Sequence, residues 1–399
     1  MNLPTDVKPA SGAEGKMARR DWILLPFLAL LTITLISVCA ELVARRTFSE
    51  SATSLESCLV LTDPASGVRG IPNSVCWEKS PESPLVEYRL DGAGYRSGME
   101  YGPKSPGTYR IVMIGSSLAM GERVPFEGTL AALLPVELSR RSARKIELYN
   151  EAMAYGFARN AALRFQDALR AQPDLILWVL TPLDVERAGF TYVKDSFNKP
   201  AASDSPIASL KNAILKGIRE RGGSIVVGNA LRHWLYEFQS QRQYIRSFLL
   251  NRPDEGEAGF LKGQLSPQWQ AHVSEFDSYA ADIEQQAKAA GVPFVATFAP
   301  NRVQAAMISL GEWPPGFDPY QLDRTLRSIV TSHGGTYIDI LSDFRTLLGP
   351  EHLYYPLDGH PDAQGQAVLA ELLAKQLAGG AIPELKASTS SMAGSSQRN

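Results

Sequence analysis

Two serines, Ser116 and Ser117, close an apolar run in "RIVMIGSSLAMGERVP", with Gly115 before them and Gly121 after. A serine hydroxyl attacks a carbonyl only when a base takes its proton, and the base usually needs an orienting carboxylate. The chain has five histidines, which can be taken one by one. His333 sits in "SHGG", the last turn of a helix, where a cation answers the helix dipole and no catalysis is needed. His233 and His272 fall among helical residues, and His352 precedes "LYYP" in a loop. His360 alone follows an acid by two residues, Asp358, in "DGHPDAQG", a loop leading into a helix. Asp358 could merely cap a turn. Paired with His360 and one of the two serines, it would complete a nucleophile, base and acid for acyl transfer.

Those residues need a frame. From Tyr109 onward, continuously apolar runs alternate with helical patterns: "YRIVMIG", "KIELYNEAM", "PDLILWVLT", "PFVATFAP" and "TYIDIL" read as strands. Between and after them "FEGTLAALLPVEL", "ARNAALRFQDALRAQ", "SEFDSYAADIEQQAKAAG", "YQLDRTLRSIVTSHGG" and "DAQGQAVLAELLAKQL" read as helices. This alternation predicts an α/β fold, a parallel sheet covered by helices on both faces. In such sheets chemistry gathers at the carboxyl ends of the strands, here the two serines, "NEAMAYG", "TPLD" and "APNR". A stretch at about 190–268, with "ASLKNAILKGIRERG" and "NALRHWLYEFQSQRQYIRSFLL", is too long for a loop and reads as a helical insertion. A net charge of −2 without a basic stripe argues against a nucleic-acid partner. The turn after the first strand lacks G-x-G-x-x-G and a Walker lysine, which argues against a nucleotide site.

The N-terminus is of another kind. "WILLPFLALLTITLISVCA", Trp22 to Ala40, carries no charge over a length that spans a bilayer core. Lys8, Lys16, Arg19 and Arg20 precede it against Arg45 and Arg46 after it, which keeps residues 1–21 in the cytoplasm and sends the rest across. A cleaved signal peptide is the competing reading. Cys58 and Cys76 then lie outside the cytoplasm, where a disulfide between them is expected, contributing about 3 kcal/mol.

The two chemical stretches together resemble the SGNH (GDSL-type) serine hydrolases. "IVMIGSSLAMGERVP" is similar to their first block, normally Gly-Asp-Ser with a glycine further on, and "DGHPDAQGQ" to their last. The resemblance covers about residues 87–377, interrupted by the insertion, and its upstream piece "EYRLDGAGYRS" looks like membrane-anchored members that modify exported polysaccharides of the alginate type. It implies a three-layer, flavodoxin-like sheet, Ser117 as nucleophile, and Asp358 and His360 as acid and base. The oxyanion would be held by the N–H of Ser117 and by that of Gly156 or Ala154 in the second block. Two departures stand out: Ser116 replaces the aspartate of the first block, and Leu183 stands where the third block has an asparagine donor. Asn150 and Asn301, at strand ends, are candidates for the missing donor.

The expectation is therefore a single-pass protein of the inner membrane with a periplasmic esterase that needs no cofactor or metal. It would deacetylate a polysaccharide or another small ester, with exopolysaccharide assembly machinery as partner. An O-acetyltransferase, or a catalytically reduced glycan-binding protein, is the alternative. Its parts would be an anchor at 22–44, a lead-in at 45–108, the hydrolase domain at 109–378 and a disordered tail at 379–399.

Overall fold

The strand that carries the two serines is buried at every position, as a strand covered on both faces must be. The computed structural model describes residues 20–48, 50–51, 53–192, 226–251 and 258–386. In the lead-in, β1 (Leu59–Asp63) pairs antiparallel with β2 (Gly67–Gly70), and β3 (Val75–Glu78) with β4 (Val86–Arg89). Five parallel strands follow: β5 (Thr108–Gly115), β6 (Lys145–Asn150), β7 (Leu175–Leu180), β8 (Phe294–Phe298) and β9 (Thr336–Ile338), in the order β6-β5-β7-β8-β9. The chain steps from β5 to β6 in one direction and then across to β7, β8 and β9 in the other. Right-handed crossovers put the helices of those two directions on opposite faces.

The helices obey that rule. On one side α3 (Leu130–Ser142) packs against α11 (Ala363–Gln376). On the other, α4 (Ala158–Arg170) packs on α8 (Pro267–Ala289), which packs on α10 (Gln321–His333). The second layer is pinned by Trp178 of β7, which stacks on Phe276 of α8 with ring centroids 5.2 Å apart. Strand order reverses between β5 and β7, so their carboxyl ends border the crevice where ligands bind in open α/β sheets.

Part of the insertion forms a helical pair over that edge, α6 (Val226–Phe238) and α7 (Gln241–Asn251). The Arg302 guanidinium lies 4.4 Å from the Tyr244 ring and 5.7 Å from that of Tyr236, which fastens the pair to the end of β8 by cation–π attraction. The expected helix in 208–222 lies outside the described residues, as do residues 1–19 of the N-terminus. Helix α1 (Asp21–Thr47) is long and apolar enough to cross a membrane, and its apolar side chains are exposed. Near its end, Glu41 accepts hydrogen bonds from the N–H groups of Val226 (3.2 Å) and Val227 (3.0 Å), where α6 begins.

"EYRL" pairs with the upstream "VCWE", and Asp91 folds the next residues into a turn by accepting from Ala93 and Tyr95 N–H. The expectation of a disordered tail from 379 is corrected in part, since the chain stays on the fold beyond Ala378, while residues 387–399 lie outside the described residues. Ile382 and Leu385 are buried, so apolar anchoring holds the segment down to residue 386.

Candidate active site

Gly115 ends β5 at φ +154°, and a Cβ there would lie 2.7 Å from the Val179 carbonyl oxygen and 2.8 Å from Ala119 Cβ. Only glycine lets β7 and the short helix α2 (Ser117–Met120) approach so closely. Ser116 precedes α2 in extended conformation, and its hydroxyl donates to Asp184 Oδ2 at 3.0 Å. Asp184 belongs to α5 (Pro182–Glu186), and the same oxygen accepts from the Thr181 N–H at 2.9 Å and the Thr181 hydroxyl at 2.6 Å. The serine that replaces the expected aspartate thus ties the turn after β5 to the turn after β7. Burial pushes the Asp184 carboxyl up to about 6, against the pull of these hydrogen bonds.

Ser117, the first residue of α2, is free of that network. Its Oγ lies 2.8 Å from His360 Nε2, and His360 Nδ1 lies 2.6 Å from Asp358 Oδ1. With Nδ1–H donating to the carboxylate, Nε2 of the neutral ring is left to accept the serine proton. The loop carrying the pair closes on itself: Tyr355 N–H donates to the His360 carbonyl (2.9 Å) and Gly359 N–H to the Tyr355 carbonyl (2.8 Å). Gly359, at φ +84°, supplies the left-handed residue this turn requires. The other Asp358 oxygen forms an ion pair with Arg123 Nε at 2.6 Å. Arg123 is fixed at both backbone ends, its N–H donating to Tyr88 Oη (2.8 Å) and its carbonyl accepting from Tyr355 Oη (3.0 Å).

The electrostatics follow from this packing. Burial disfavours charge on His360, but the adjacent Asp358 carboxylate outweighs it and lifts the imidazole to about 9, while Arg123 works in the opposite sense. Burial likewise raises Asp358, yet His360 and Arg123 win and hold it at about 2. The charged pair is the favoured ground state.

The remaining predicted residues divide. Ser117, His360 and Asp358 line a cavity of about 1020 Å³ at the carboxyl edge of the sheet, together with Leu183 and Asn301. Gly156, Ala154 and Asn150 do not line it. Gly156 N–H is spent on the Met153 carbonyl (2.8 Å) and Ala154 N–H on Met120 Sδ (3.2 Å). Asn150 Nδ2 donates to the Ala119 carbonyl (3.1 Å), supporting α2 from the strand next to β5. Asn301 caps α9 (Arg302–Leu310), its side-chain oxygen accepting from Gln304 N–H at 2.9 Å. Cys58 and Cys76 form a disulfide within the lead-in. The other histidines have local partners: His333 meets Asp277 at 2.7 Å, His272 packs edge-on to Trp269, and His352 lies 3.8 Å from Glu237. Among the described residues, no group of three His, Cys, Asp or Glu side chains is placed to hold a metal ion.

Arg123 and Asp184 escaped sequence reasoning, although both stand inside or beside quoted stretches. A lone charge has no visible partner in a sequence when that partner is tens or hundreds of residues away.

No protein-family model and no curated protein matches the chain. Solved structures do resemble it. An acetyl-xylooligosaccharide esterase from Geobacillus is 13% identical, with 70% of this chain and 96% of that one covered at a TM-score of 0.37. A lipase/acylhydrolase from Enterococcus faecalis is 12% identical, covering 68% and 96% at a TM-score of 0.37. A psychrotrophic esterase from Pseudoalteromonas is 11% identical, covering 67% and 96% at 0.35. At these identities and TM-scores, the likenesses carry no chemistry over to this chain.

Proposed function

We propose that the chain is a membrane-anchored serine esterase of the SGNH type. The observation that carries the reading is the contact series from Ser117 Oγ through the His360 ring to Asp358, opening on a cavity at the strand ends. Ser117 Oγ adds to the ester carbonyl carbon while its proton passes to His360 Nε2. The imidazolium then protonates the leaving alkoxide as the C–O bond breaks, leaving an acyl-serine. Water, deprotonated by the same nitrogen, adds to the acyl carbon, and the acid departs as the proton returns to Ser117. Asp358 holds the ring and stabilises its charged form throughout. The N–H of Ser117 holds the oxyanion, but with the Gly156 and Ala154 N–H groups spent elsewhere and Leu183 in place of an amide donor, that hole is short of two hydrogen bonds. Each such loss costs about 2.7–4 kcal/mol of transition-state stabilisation, so the enzyme is a slow one.

The anchoring part of the reading rests on the length and apolarity of α1 and on the positive residues before it. A disulfide beyond that helix fits an oxidising compartment, so the catalytic part belongs on the periplasmic side of the inner membrane. The cavity is far larger than an acetyl group and leaves room for the sugar that bears it, which favours an acetylated polysaccharide. Acetate release from acetylated glycans by the full-length protein, absent in Ser117→Ala, tests the proposal. Acetate appearing on an acceptor glycan instead of in solution would move the assignment to a transferase. Equal acetate release by the variant would end it.

A further inference from the structure

Glu82 lies in the lead-in between β3 and β4, yet its side chain is only 2% exposed. It reaches the loop that bears Asp358 and His360. Both carboxylate oxygens accept from Leu357 N–H at 3.0 Å, and Oε2 also accepts from Asp358 N–H at 3.0 Å. Two consecutive backbone N–H groups converging on one carboxylate make an anion seat, and the charge on the acceptor strengthens each bond. The third partner comes from the insertion: His233 Nδ1 on α6 stands 2.6 Å from Glu82 Oε1. The His233 ring in turn meets Phe48 edge-on at 5.3 Å, just past the end of α1.

Asp358 is therefore held twice, at its side chain by Arg123 and His360 and at its backbone by Glu82. The local turn does not need Glu82, because its own hydrogen bonds close it. What Glu82 adds is location, fixing that turn against the lead-in and, through His233, against α6. A carboxylate so deeply buried is costly to desolvate, and a neutral side chain could cover the loop at less expense.

Resting on the reading of Ser117, His360 and Asp358 as the reacting groups, we propose that Glu82 is a positioning residue. It holds the Leu357–Asp358 backbone so that the acid and base stay aligned on Ser117, and His233 holds Glu82 from α6. The active site is then assembled from three stretches of chain, the lead-in, the sheet and the insertion, and its alignment depends on how α6 sits beside the end of α1.

The test uses the full-length protein in detergent, with para-nitrophenyl acetate and a fluorophosphonate probe. Glu82→Gln keeps the size but turns one accepting oxygen into a donor facing an N–H. Misplacement of reacting groups by about 1 Å costs roughly 10²-fold, so kcat should fall at least about tenfold while KM stays within about twofold. The probe-labelling rate at Ser117 should fall in step. His233→Gln should lower kcat in the same direction but less, and the double variant should be no worse than Glu82→Gln, because the two residues act through one contact. Folded Glu82→Gln with unchanged kcat, or with only KM altered, overturns the proposal. Should Glu82→Gln fail to fold, His233→Gln decides, and an unchanged kcat there overturns it. Ser117→Ala separates the two levels. Turnover surviving in that variant defeats the underlying reading, whereas a dead Ser117→Ala beside a fully active Glu82→Gln defeats only the role of Glu82.

Discussion

Replacing Asp358 by Asn should change the pH dependence of the reaction more tellingly than its rate. In the wild type His360 is lifted from the ordinary 6.5 to about 9, chiefly because the Asp358 carboxylate overcomes the penalty of burial. That lift amounts to roughly 3 kcal/mol in favour of the imidazolium, at about 1.36 kcal/mol per pH unit. The base must be neutral to accept the Ser117 proton, and at pH 7 only about one molecule in a hundred has it so. The wild-type rate should therefore climb about 100-fold from pH 7 to a plateau above pH 9. In Asp358→Asn burial and Arg123 still disfavour the imidazolium, so the imidazole falls to the ordinary 6.5 or below it, and the profile should be flat above about pH 7.5. Loss of the orienting acid typically costs about 10⁴ in kcat. That deficit should appear in full on the alkaline plateau and shrink to about 10² at pH 7, where most of the wild type is idle. Initial rates on an activated acetate ester from pH 5 to 11, corrected for spontaneous hydrolysis, would show it. An alkaline midpoint left in place in the variant, or a deficit equal at every pH, would refute the reasoning.

Arg123→Met should move the same midpoint upward, because Arg123 opposes the charge on His360; a downward move in the rate profile would contradict the ion-pair geometry. Stability should also follow pH. A base whose folded value is raised contributes fully below the unfolded value near 6.5 and loses that contribution as pH rises through about 9, so wild-type melting temperature should drop across that window and that of Asp358→Asn should not. Gly115→Ala should cost roughly 1–3 kcal/mol in denaturant titrations and most of the activity, since its Cβ would force β7 and α2 apart. Trp178→Ala should destabilise by about 3–5 kcal/mol in the same titration, because it removes the ring stacked on Phe276 at the centre of one layer.

The α/β frame was legible because buried parallel strands must be apolar at every position, as β5 and β7 are, and the intervening helices carry 3.6-residue periodicity. The turn around Asp358 and His360 was legible for a different reason, since its two chemical residues are two apart in the chain. What could not be read was any contact with one end in the lead-in or the insertion. Glu82 is 275 residues from Leu357, and His233 is 151 from Glu82, with no periodicity linking them. The second-block oxyanion candidates point elsewhere for a subtler reason. Gly156 and Ala154 fall in the expected stretch, but whether an N–H faces the cavity or a neighbouring carbonyl or sulfur depends on one backbone torsion that composition does not encode. Ile382 and Leu385 show the same limit at the other end, two apolar anchors close to a polar tail.

Intact-mass measurement of the full-length protein after exposure to a fluorophosphonate probe tests the central claim most directly. A single adduct on the wild type, mapped to Ser117 and absent from Ser117→Ala and strongly slowed in His360→Ala, is the predicted result. Labelling that persists in folded Ser117→Ala, or no labelling of the folded wild type at pH 9, would contradict it.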